Sequence, residues 1–112
     1  MEKNRGVVEL APELARWLKR LPPKHFATVA FHLDLLSECG DTLSWPYARA
    51  VDSKLRELRF HLDGRAVRIT YWISPERKIV PLTVFMNNRV SVGREFGRAR
   101  QALKRYRSGG DD

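Results

Sequence analysis

The chain has 112 residues, 43% of them hydrophobic, and a formal net charge of +8. That length suits one compact domain with one modest core. No apolar run reaches eighteen residues, the N-terminus leads into no apolar signal core, and the single cysteine, Cys39, can form neither an internal disulfide nor a cysteine-based metal site. A protein of the reducing cytoplasm, with no membrane partner, is expected.

The first element in chain order is a short β-branched strand, Val7-Val8-Glu9-Leu10. Pro12 then stands where a helix can begin, and Leu14, Trp17, Leu18 and Leu21 follow at helical spacing. Leu21-Pro22-Pro23 ends that helix, because a residue before proline avoids the α region. A second helix starts near Pro23, with Phe26, Val29, Ala30, Leu33 and Leu36 on one face and Gly40 as its C-cap. The short connection predicts an antiparallel helical hairpin. Residues 41–53 show no clean period and read as a loop with at most one helical turn.

From Leu55 the period changes to two. Leu58, Phe60 and Leu62 alternate with Glu57, Arg59 and His61. Asp63-Gly64 is a strong hairpin signal. Val67, Ile69, Tyr71 and Ile73 then alternate with Arg68, Thr70 and Trp72. Ser74-Pro75-Glu76-Arg77 predicts a second turn, and Ile79 to Phe85 a third strand, which either bulges near Pro81 or turns that proline nitrogen away from a partner. After a loop over 86–93, Arg94 to Arg107 forms a final helix. The expectation is a single α+β domain over residues 1–107, with the order β-α-α-β-β-β-α and a disordered tail over 108–112. Helices cover one face of a mostly antiparallel sheet, and Arg59 and Arg68 lie on the open face.

Charge is unevenly spread. Residues 1–53 hold seven basic and seven acidic residues, and residues 54–112 hold fourteen basic and six acidic. Eleven of those fourteen are arginine, whose planar fork suits phosphate. The plain alternative is a solvated basic face that keeps the protein soluble. One basic surface for a polyanion is the stronger reading, with nucleic acid as the polyanion. No HExxH, P-loop or GxSxG motif is present, and His25, His32 and His61 are too scattered for zinc. No metal or cofactor is expected. A DNA-binding role ranks last, because no helix-turn-helix is evident.

Three segments together resemble the RelE/HigB superfamily of bacterial toxins, and most closely its phage-derived HigB-like branch. They are Leu55-Arg56-Glu57-Leu58-Arg59, Val67-Arg68-Ile69-Thr70-Tyr71 and Ile79 to Phe85, followed by a helix carrying Ala99 and Arg100. The resemblance spans about residues 7 to 107 and implies the fold read above. It also implies the toxin of a type II toxin–antitoxin system that cleaves mRNA in the ribosomal A site without a metal. The partners implied are mRNA, the ribosome and a cognate antitoxin, often a helix-turn-helix protein.

On this resemblance Arg59 and Arg68 match the arginines that bind the scissile phosphate. The alternative for each is a surface arginine paired with a glutamate such as Glu57. His61 shares the phase of Arg59 and is a candidate for acid–base steps, whereas the phase of Tyr71 makes it a core residue. Family members carry a lysine pair after the third strand. Here Met86 is followed by Asn87, Asn88 and Arg89, so Arg89 is the remaining cation and a candidate catalytic residue. Lys54, Arg56, Arg65, Trp72, Asn87, Asn88, Arg94 and Arg98 complete the expected RNA contacts, with Trp72 either stacking on a base or packing under a loop. A non-catalytic RNA-binding or regulatory module of the same fold is the alternative function.

Overall fold

The computed structural model describes residues 6–86 and 91–109. Its elements are β1 (Val7–Val8), α1 (Pro12–Lys19), α2 (Pro23–Cys39), a 3-10 turn (Gly40–Thr42), β2 (Ala48–Ala50), β3 (Leu55–Leu62), β4 (Arg65–Ile73), β5 (Lys78–Met86) and α3 (Val92–Arg107). The α+β class, the two leading helices, the three-stranded meander and the closing helix are those the sequence predicts. Ser108 and Gly109 form the turn that ends α3, and the rest of the expected tail lies outside the described residues.

Local chemistry fixes the meander. Asp63 and Gly64 both take positive φ, 49° and 76°, so the β3–β4 hairpin closes on a two-residue turn whose twist matches its strands. Arg77, at φ 69°, ends the β4–β5 loop, and Ser74 and Lys78 close it by backbone and side-chain hydrogen bonds. Along β5 the register slips: Thr70 faces Thr83 while Tyr71 faces Pro81, so Leu82 is skipped. This is the bulge foreseen at Pro81.

Two expectations are corrected. The segment 41–53 is more than a loop, because Ala48–Ala50 form an edge strand antiparallel to β3. The sheet therefore has five strands in the order β1-β5-β4-β3-β2, with β1 parallel to β5. Three residues are too few to show a period. The helices also lie on both faces of the sheet. On the first face, Leu14 and Leu18 of α1 and Val29, Leu33 and Leu36 of α2 pack against Leu58, Phe60, Leu62, Val67, Ile69 and Tyr71. On the second face, Ala99, Ala102 and Leu103 of α3 pack against Leu55, Val80 and Leu82. The unbroken apolar run of β5 is the reason, since a strand buried on both faces loses its alternation.

β1 is too short to cover the whole edge of β5. Beyond it, the backbone N–H of Val84 donates to Glu13 Oε2 at 3.1 Å, and the Val84 carbonyl accepts from Arg98 Nη2 at 3.2 Å. Glu13 and Arg98 also pair with each other. An acid and a base from two helices thus cap an edge that would otherwise recruit another strand. No helix among the described residues is long and apolar enough to cross a membrane.

Candidate functional site

The apolar contacts of α3 take up one end of the second face. The other end is built in register rows across β2, β3, β4 and β5, in which Glu57, Thr70, Thr83 and Phe85 are buried. One row reads Arg49, Glu57, Thr70, Thr83. Glu57 is fully buried there, accepts from Arg49 Nε at 2.9 Å, and places its other oxygen 3.5 Å from Arg68 Nη1. The two threonine hydroxyls close the row at 2.6 Å.

The next row extends β2 by one residue, because the Arg59 N–H donates to the Tyr47 carbonyl at 2.8 Å. It reads Tyr47, Arg59, Arg68, Phe85, with Arg59 and Arg68 directly opposite each other. The Arg59 guanidinium lies 5.1 Å from the ring centre of Trp45, and that of Arg68 lies 5.7 Å from the ring centre of Phe85. Phe96 of α3 stands edge-on to Phe85 at 6.3 Å. Two arginines are therefore set between aromatic walls. His61, opposite Ala66, begins the row beyond them and is exposed.

Like charges directly opposite on antiparallel strands destabilise a sheet by a few tenths to about 1 kcal/mol. Glu57 offsets this on one side only. It pairs with Arg68, whose side chain is 12% exposed, while no carboxylate among the described residues pairs with Arg59. The anticipated arginine–glutamate pairing is thus realised for Arg68, and among the described residues Arg59 has none. The row holds one guanidinium facing a carboxylate and one facing an aromatic ring, an arrangement suited to an incoming anion.

The other expected contacts scatter. Arg56 points to the first face, where Nε donates to the Tyr71 hydroxyl at 3.1 Å and Nη2 to the Leu43 carbonyl at 2.7 Å. Tyr71 is fully buried, and burial lifts its phenol above the usual range against the pull of Arg56, so it stays protonated. Trp72 shares the second face but lies four residues along β4 from Arg68, roughly 13 Å away. There it packs against Tyr106, at 6.2 Å between ring centres, and under the Arg107 guanidinium at 5.1 Å. Arg98 is engaged at the β5 edge. Arg65 is exposed at the hairpin end of β4, Lys54 in the loop before β3 and Arg94 on the first turn of α3. Asn87, Asn88 and Arg89 lie outside the described residues.

Sequence reasoning missed three residues of this face: Trp45, Tyr47 and Arg49. Glu57 was anticipated only as a surface partner of the arginines, whereas it is fully buried between Arg49 and Arg68. The three missed residues sit in the aperiodic segment before β3.

Fold and site together describe a small α+β domain with a cationic, aromatic-walled patch at one end of a sheet face. The family model of phage-derived Gp49-like proteins (DUF891) matches residues 16–104, most of the chain. The chain belongs to this Gp49-like family, a RelE/HigB-like toxin family associated with toxin–antitoxin systems. A search of curated proteins gives no match.

Proposed function

We propose that this chain is the toxin of a type II toxin–antitoxin system, of the phage-derived HigB-like branch, and that it cleaves mRNA at the ribosomal A site. It acts in the cytoplasm and is held inactive by an antitoxin, a helix-turn-helix protein. The observation that carries the reading is the Arg59–Arg68 pair, two cations placed side by side at the end of the sheet face beyond the apolar contacts of α3.

The chemistry needs no metal. The ribose 2′-oxygen attacks the adjacent phosphorus, and the bond to the 5′-oxygen breaks. A 2′,3′-cyclic phosphate and a 5′-hydroxyl result. Arg59 and Arg68 neutralise the charge that builds on the phosphoryl oxygens. His61 is the group on this face for the proton that leaves the 2′-hydroxyl or joins the 5′-oxygen. Glu57 touches no substrate in this scheme and positions Arg68.

In a reconstituted translation reaction the purified protein is expected to cut mRNA within codons, leaving 5′-hydroxyl ends. Arg68→Ala is expected to slow cleavage on the order of a hundredfold. Intact mRNA at every concentration of folded protein sinks the reading. The low exposure of Arg68 and its pairing with Glu57 favour a second reading, a non-catalytic RNA- or ribosome-binding module. That reading expects salt-sensitive binding with no cut.

A further inference from the structure

Trp45 and Tyr47 are large aromatic side chains left 67% and 46% exposed on a small domain whose other tryptophans are half-buried. They border a groove of about 450 Å3 with Arg59, His61 and Ala66, and no carboxylate among the described residues lines it. Arg59 lies over the Trp45 ring, and most of that ring remains open to solvent. Within the reading above, we propose that Trp45, flanked by Tyr47, is a stacking platform for a nucleobase of the RNA whose phosphate Arg59 holds.

Three features select a single-stranded nucleic acid as the occupant. An open indole offers a flat apolar face that every base can stack on. The cation beside it is a guanidinium already oriented by the ring, so little freedom is lost when it meets a phosphate. A nucleotide carries its phosphate one sugar away from its base, and here a guanidinium stands in contact with a largely exposed aromatic ring. An acidic peptide would use the arginine but has no equal need of the aromatic face. Because any base can stack, this platform adds affinity and register and leaves sequence preference to other contacts.

The test uses a labelled single-stranded RNA oligonucleotide with 2′-O-methyl groups, which binds but cannot be cleaved, and the full chain. Trp45→Ala is expected to weaken binding about tenfold, and Trp45→Phe, which keeps a stacking ring, to weaken it far less. Against an oligonucleotide abasic at the stacked position, parent and Trp45→Ala should bind alike. Unchanged binding by Trp45→Ala, or an equal loss against the abasic strand, overturns the proposal. Unchanged RNA binding joined to weaker capture of the co-expressed antitoxin overturns it in favour of a protein interface. The readout does not depend on cleavage, so a protein that stacks RNA without cutting it sinks the nuclease reading alone.

Discussion

The two ends of the second sheet face are made from the same strands and from the same alternate positions, yet they are held by different forces. At the Trp72 end, Leu55, Val80 and Leu82 meet the small side chains of α3, and Tyr106 and Arg107 close over Trp72. Apolar burial there needs no partner. At the Arg68 end, a buried glutamate, three arginines and a hydroxyl pair take the place of the apolar layer. Ionic clusters of this kind add little net stability compared with apolar packing.

The same contrast sorts the arginines. Arg56 and Arg98 both complete hydrogen bonds to backbone carbonyls and hold the fold together. Arg59 has an aromatic ring beside it and no carboxylate partner among the described residues. The number of arginines in the second half of the sequence therefore overstates the charge available to an anion, and the partners of each arginine correct the count.

The largest expected effect falls on Glu57. Glu57→Ala leaves the largely buried Arg68 without its counter-charge and should cost about 3 kcal/mol in a urea titration. The double variant Glu57→Ala, Arg68→Met should recover much of that loss, since it removes the stranded charge too. Equal costs for the single and double variants would mean that the Arg68 end is held by packing, like the Trp72 end.

A smaller effect lies at the Trp72 end. Asp52 accepts backbone N–H groups of Lys54 and Leu55, both at 2.8 Å, and the Arg100 Nε at 3.0 Å, tying α3 to the loop before β3. The Leu55 amide foremost, then that of Lys54 and the Arg100 guanidinium, hold its carboxyl below the usual range against the opposing effect of burial. A carboxyl depressed on folding contributes stability above its unfolded pKa and loses it as pH falls through the folded value. Asp52→Asn should therefore melt below the parent at neutral pH, and the gap should close below about pH 4. A gap that persists unchanged into acid contradicts the ionic tie.

Much of this was legible in the sequence because period and turn chemistry agree. The hairpin at Asp63-Gly64, the Pro-Pro break between the helices and the bulge near Pro81 each follow from a backbone constraint of the named residues. The pairing of Arg59 with Arg68 follows from the hairpin register once that turn is known. The placement of α3 did not follow, because its buried stripe of Ala99, Ala102 and Leu103 does not say which sheet face it will meet. The aromatic border was hidden for another reason. Trp45 and Tyr47 belong to an aperiodic segment, and only the three-residue pairing of β2 with β3 brings them to Arg59.

The central claim is that Arg59 and Arg68 hold RNA phosphate, and the salt dependence of binding tests it most directly. For an uncleavable single-stranded RNA, the slope of log affinity against log salt should shrink by about 0.7 for each phosphate contact removed. Arg59→Ala and Arg68→Ala are each expected to lower the slope by about that amount, while Arg56→Ala, on the opposite face, leaves it unchanged. Slopes for Arg59→Ala and Arg68→Ala equal to that of the parent would contradict the account.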